Sequence, residues 1–98
     1  MPMTAREAHV HLDHALARDP AGRYCFRCRK ALVLIRLYGR GSPARFGVRD
    51  RVGFRVNEET LTVEALDTGA VRKQFTWLQI ESLSAGEPEV DNGPLFQG

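Results

Sequence analysis

The side chains with the most chemical reach in this chain are two cysteines in Cys-x-x-Cys spacing, Cys25 and Cys28, and three histidines, His9, His11 and His14. Zinc takes four nitrogen or sulfur ligands in a tetrahedron, and Cys-x-x-Cys supplies two at a workable separation. His11 and His14 stand three residues apart, neighbours on a helix, so a zinc site would take Cys25, Cys28, His11 and His14, with His9 as a substitute. No second Cys-x-x-Cys follows, and the histidine spacing fits no zinc-finger pattern. The default reading therefore leaves both thiols as ordinary core or edge residues and expects no cofactor. A thioredoxin-like redox pair would need a βαβ context that the flanking sequence lacks. Nor is there a placeable Ser/His/acid set, a Gly-rich phosphate loop or a pair of carboxylates in a cleft. So short a chain also leaves little room for a deep pocket, and the expectation is a protein that is not an enzyme.

The other chemistry is charge. The formal net charge of +2 hides a strong segregation. From Arg18 to Arg55 eleven basic residues face only Asp19 and Asp50, a net of +9. From Val56 onward two bases face eight acids, a net of −6. Such a polarised field steers charged partners. Twelve of the fourteen bases are Arg, the residue suited to bidentate phosphate and carboxylate contacts; a GC-rich genome would produce the same bias. Tyr24, Phe26, Tyr38, Phe46 and Phe54 are interleaved with the basic residues, as in grooves that hold single strands on aromatic platforms. Alternation sends Phe46 and Phe54 inward, which leaves Tyr24 and Tyr38 as the candidates for exposed rings. The candidate nucleic-acid or anion surface is therefore Arg27, Arg29, Lys30, Arg36, Arg40, Arg45, Arg49, Arg51 and Arg55 with Tyr24 and Tyr38. The later acids Glu58, Glu59, Glu64 and Asp67, with Trp77, form a candidate protein-partner surface. Each set has an ordinary alternative: a solvated outer face, and for Trp77 a place in the core.

These residues need a frame. A chain of 98 residues is a single domain. Thr4-Ala5-Arg6-Glu7 fits a capping box, and Ala5, Ala8, Leu12, Ala15 and Leu16 follow at helical spacing, with Asp19-Pro20 as the stop. Ala31 to Tyr38 is an apolar, β-branched run closed by Gly39-Arg40-Gly41-Ser42-Pro43, a strand covered on both faces and then a turn. From Ala44 to Val56, Phe46, Val48, Val52, Phe54 and Val56 alternate with Arg. That period-2 pattern predicts one bent strand or two kinked ones, with Gly47 and Gly53 as bend sites. Thr60 to Leu66 and Val71 to Trp77 flank the Asp67-Thr68-Gly69 hairpin turn, and Leu78 to Leu83 completes the set. The predicted fold is mainly β (α+β), an N-terminal helix followed by a five-stranded antiparallel barrel over residues 1–84. Residues 85–98 read as a disordered acidic tail. Its last four, Leu95-Phe96-Gln97-Gly98, match part of a viral protease recognition site, as a vector remnant would, and carry no functional reading.

Cys28-Arg29-Lys30-Ala31-Leu32-Val33-Leu34-Ile35-Arg36-Leu37, Ala44 through Asp50, Thr60 through Ala65, and Val71 through Leu83 follow one another as the strands of an Sm-like, or SH3-like, barrel do. Within that group the chain resembles the Rof family, small bacterial inhibitors of the Rho termination factor. The likeness covers about residues 25–84 and lies in strands and turns. Asp67 through Phe75 and Ile80-Glu81-Ser82-Leu83 are also similar to the ending of WYL domains, although Glu59-Thr60-Leu61 stands where those carry Trp-Tyr-Leu. Rof-like inhibitors are acidic where they meet a basic RNA-binding surface; here the early strands are basic and only the later ones acidic.

The resemblance implies a regulatory binding protein, bacterial or phage, acting on the transcription or RNA machinery through a charged barrel surface. Direct binding of single-stranded nucleic acid is the alternative, and a zinc-stabilised protein-interaction module is a third. The expected partner is accordingly a protein of the transcription machinery or a single strand, with no membrane. No apolar run approaches a membrane span and the first residues lack a signal-peptide layout, so the expected compartment is the cytoplasm.

Overall fold

The computed structural model of the chain describes residues 3–86. Helix α1, Ala5–Ala15, starts where the capping box predicts. The Glu7 amide donates to Thr4 Oγ1 at 3.2 Å and the Thr4 amide donates to Glu7 Oε1 at 3.1 Å, so two otherwise unpaired first-turn donors are satisfied. The helix buries Ala8 and Leu12. It ends at Ala15, before Asp19-Pro20, because the chain turns at once into a short strand.

Eight strands follow where five were expected. They are β1 (Leu16–Arg18), β2 (Tyr24–Phe26), β3 (Leu32–Leu37), β4 (Ala44–Gly47), β5 (Val52–Val56), β6 (Thr60–Ala65), β7 (Val71–Thr76) and β8 (Ile80–Gly86). All pairings are antiparallel. They make a five-stranded sheet, β1-β2-β5-β6-β7, and a three-stranded sheet, β4-β3-β8. The hydrogen-bonded ladder does not close into a ring. The expected single bent strand over Ala44–Val56 divides into β4 and β5 at a 3-10 turn, Val48–Asp50. Asp50 Oδ2 accepts the Gly47 amide at 2.7 Å, and Arg51 takes a left-handed conformation with φ of 53°. The corner thus sits between the two glycines proposed as bend sites. β8 runs to Gly86, beyond the expected boundary at 84; the rest of the predicted tail lies outside the described residues.

The two sheets and α1 enclose one core. Val33 and Ile35 from β3, Val52 and Phe54 from β5, Leu61 and Val63 from β6, and Ile80 and Leu83 from β8 are almost wholly buried. Alternation sets this pattern: Phe54 pairs with Val63 and Tyr24 on the inner face, and the residues between them point outward. Phe46 and Phe26 meet the Phe54 ring edge-on at centroid distances of 5.5 and 5.8 Å, an arrangement that aromatic quadrupoles favour. No helix among the described residues is long and apolar enough to cross a membrane.

Candidate anion-binding surface

The outer face of the three-stranded sheet is set by register. Leu34 in β3 stands directly opposite Arg45 in β4 and Ser84 in β8. Arg36, two residues further along β3, stands opposite Ser82. Direct cross-strand partners share a face, so Arg36 and Arg45 project from the same side, away from buried Val33 and Ile35. The strand ends extend this basic strip. Arg40 occupies the β3–β4 turn, beside exposed Tyr38. At the other end Leu32 is paired with Gly47. Next to that pair lie the loop carrying Arg27, Arg29 and Lys30 into β3 and the corner carrying Arg49 and Arg51 out of β4. Six strand residues at about 3.3 Å each give the strip a length of about 20 Å.

All eight of these bases, Arg27, Arg29, Lys30, Arg36, Arg40, Arg45, Arg49 and Arg51, are exposed. Among the described residues none of them makes an ion pair; the ion pairs present join Asp19 and Glu64 to Arg23 and Arg55. The basic stretch thus keeps most of its charge available to solvent and to ligands.

Arg55 departs from the expected surface. Its guanidinium donates to Glu64 Oε2 at 2.8 Å and to the Ala21 carbonyl at 3.0 Å, on the outer face of the five-stranded sheet. Glu64 is 7% exposed, so it is a buried partner of Arg55 and Arg23 and not part of a protein-facing surface. The alternation placed Glu64 on the correct face, but two arginine stems cover that face. Gly53 makes the cover possible: a Cβ there would come within 3.2 Å of Arg23 Cβ and of Leu66 Cδ2. Asp19 anchors the same network. Its carboxyl pKa is lowered from the ordinary value, first by the Arg23 amide at 2.9 Å and then by the Arg23 guanidinium.

Tyr24 is a second correction. It is fully buried, not an exposed ring. Arg18 donates to its hydroxyl at 2.7 Å and to His9 Nδ1 at 2.9 Å, and the hydroxyl lies 2.7 Å from that same Nδ1. Because Arg can only donate, His9 Nδ1 is the acceptor in its contact with Arg18. Burial pushes the Tyr24 phenol above its ordinary value, opposed by the Arg18 hydrogen bond. The guanidinium also lies 4.9 Å from the Tyr24 ring centroid, within cation–π range. This cluster was missed in the sequence because its members lie far apart in the chain and β1 is too short to show a period. Tyr38 is therefore the one exposed ring among the Phe, Tyr and Trp side chains of the described residues.

Trp77 also turns inward. It is 6% exposed and its indole N–H donates to the Asn57 carbonyl at 2.9 Å. Its neighbour Leu78 is 76% exposed instead. Leu78, Trp77, Thr76, Glu58 and Glu59 line a cleft of about 450 Å³, and Asp67 is exposed in the β6–β7 turn.

The residues weighed as an alternative zinc site do not come together among the described residues. No group of three or more His, Cys, Asp and Glu able to hold a metal exists among the described residues. His9 is held by Arg18 and Tyr24, and the half-buried Cys25 thiol lies 3.6 Å from Asp19 Oδ2. Burial, aided by Asp19, raises that thiol above its ordinary value, the opposite of what a thiolate ligand requires. His11 is exposed on the helix, while His14 and Cys28 line a cleft with Arg27.

No family model matches the chain, and neither a curated protein nor a solved structure matches it.

Proposed function

We propose that this protein is a regulatory binding protein of the RNA or transcription machinery that contacts single-stranded nucleic acid directly through the β3–β4 face. One observation carries the reading: eight exposed bases along that hairpin and its ends, none of them neutralised by an ion pair among the described residues. Unneutralised Arg and Lys exchange counterions for phosphates, which is the main source of affinity for nucleic-acid backbones. Half-buried Leu32 and Leu34 give the strip a less polar floor, and Tyr38 offers one base a stacking surface. With a single exposed ring, phosphate contacts dominate and sequence preference is weak.

Strand order supports the Sm-like reading of the frame. β4 and β5 continue one another around the Arg51 corner, and the 3-10 turn Trp77–Gln79 returns the chain from edge strand β7 to β8. Chain continuity thereby links two sheets whose hydrogen bonding is separate, as in a partly open small barrel.

The test is affinity for a labelled oligouridylate. Arg36→Glu and Arg45→Glu are each expected to weaken binding about fivefold or more, while Arg72→Glu on β7 leaves it nearly unchanged. Equal affinity of all three variants and the parent chain would remove the basis for the proposal. The exposed Leu78 beside Glu58 and Glu59 supports a second contact, with a protein of the same machinery. Capture of such a protein should be lost on Leu78→Asp and kept in Arg45→Glu; retention in Leu78→Asp excludes this cleft.

A further inference from the structure

The 3-10 turn Trp77–Gln79 presents Leu78 to solvent and is held from both sides. Within it, the Thr76 amide donates to Gln79 Oε1 at 2.9 Å. The Trp77 amide and indole N–H donate to the Glu59 and Asn57 carbonyls at 3.2 and 2.9 Å, which ties the turn to the β5–β6 loop. On the other side the Gln79 carbonyl accepts the Tyr38 amide at 3.1 Å, which ties it to the β3–β4 turn. Leu78, at 76% exposed, thus stands on backbone that is already fixed, and little ordering is left to be done on binding. The same ties set an order across this end of the molecule. Arg40 lies in the β3–β4 turn, Leu78 in the middle, and Glu58 and Glu59 in the β5–β6 loop. All four side chains are exposed.

A row that reads base, apolar, acid is complementary to itself after a twofold rotation, which is what a symmetric dimer interface requires. We infer that two copies of this chain pair through this end, about a twofold axis at Leu78. Arg40 of each copy then meets Glu58 and Glu59 of the other. Each Leu78 enters the other copy's cleft, the space of about 450 Å³ beside Trp77 and Leu78. Charge complementarity fixes the occupant, because one patch carries both signs on opposite flanks of its exposed leucine. One turn and two loops make a contact below the size class of stable complexes, and exposed ion pairs add little. Pairing is therefore weak and depends on concentration. It draws only Arg40 from the basic strip and leaves the other seven bases to a strand. Occupancy by a second copy rests on the protein-contact reading of this cleft given above.

Analytical ultracentrifugation of the full chain at low salt tests it. Between about 10 µM and 1 mM, the average mass should climb from 11.0 kDa toward twice that value and stop there. Leu78→Asp should stay monomeric throughout. Arg40→Glu sets acid against acid in both pairs, and the double variant Glu58→Arg, Glu59→Arg sets base against base, so each alone should lose pairing. An equal mixture of these two should regain it, since every pair again joins opposite charges; misfolding of either variant could not produce that result. A parent chain that remains at 11.0 kDa, a mixture that remains monomeric, or a mass that grows past the dimer would each overturn the inference. Should the parent chain remain monomeric yet capture a different protein through Leu78, the protein-contact reading stands and the second copy is excluded. Should it neither pair nor capture, both fall.

Discussion

Asp19 shows how a single side chain can be misjudged from sequence and what it does instead. It reads as the residue that stops a helix before proline. In the structure its carboxylate accepts the amides of Ala21 and Arg23 and the Arg23 guanidinium, which ties the β1–β2 turn and orients Arg23 over Gly53 toward Glu64. Its folded-state value is lowered, so its contribution to stability is complete above the ordinary carboxylate value of about 4 and is lost as pH falls through the folded value. The unfolding midpoint of Asp19→Asn should therefore lie below that of the parent chain at neutral pH. The gap should close as the solution is acidified below about pH 4. A constant gap across that range would mean that the carboxylate charge plays no part. Glu64 and Tyr24 differ from the sequence expectation for a related reason, while Trp77 takes its alternative place in the core. Alternation and residue type say which face a side chain occupies, but not whether a distant Arg stem or helix lies over that face.

The elements were legible where local chemistry is strong. The Thr4–Glu7 capping box, the strand Thr60–Ala65 with Leu61, Val63 and Ala65 buried, and the Asp67-Thr68-Gly69 turn, with Gly69 at φ of 75°, all appear at their expected positions. β1 and β2 were not legible, because three-residue strands such as Leu16–Arg18 are too short to show a period. The corner between β4 and β5 was half legible. Parity is kept on either side of it, but nothing in an Arg-Asp-Arg run announces that Arg51 takes a left-handed conformation. That conformation costs about 1 kcal/mol for a residue with a Cβ. Arg51→Gly should therefore be at least as stable as the parent chain in urea, while Arg51→Val should lose about 1–2 kcal/mol, because a β-branched residue fits that region worst. Equal stability of the Gly and Val variants would show that the corner carries no such demand.

At the scale of the whole molecule, charge segregation along the sequence becomes segregation in space, though not as a simple two-faced particle. The acids within reach of Arg23 and Arg55 are consumed in the network over the five-stranded sheet. The remaining bases, from Arg27 through Arg51, collect on the three-stranded sheet and its ends. The alternation could not show that Arg55 is paired and the other bases of the stretch are not, because pairing with Glu64 depends on the β5–β6 register. The central claim is that this strip binds the phosphates of a single strand, and the salt dependence of oligouridylate affinity tests it most directly. If three to five phosphates are engaged, the logarithm of the association constant should fall linearly with the logarithm of salt concentration, with a slope of about −2 to −4. Arg45→Glu should make that slope shallower by about 0.7 or more. Affinity that does not change with salt, or a slope the same in Arg45→Glu as in the parent chain, would contradict it.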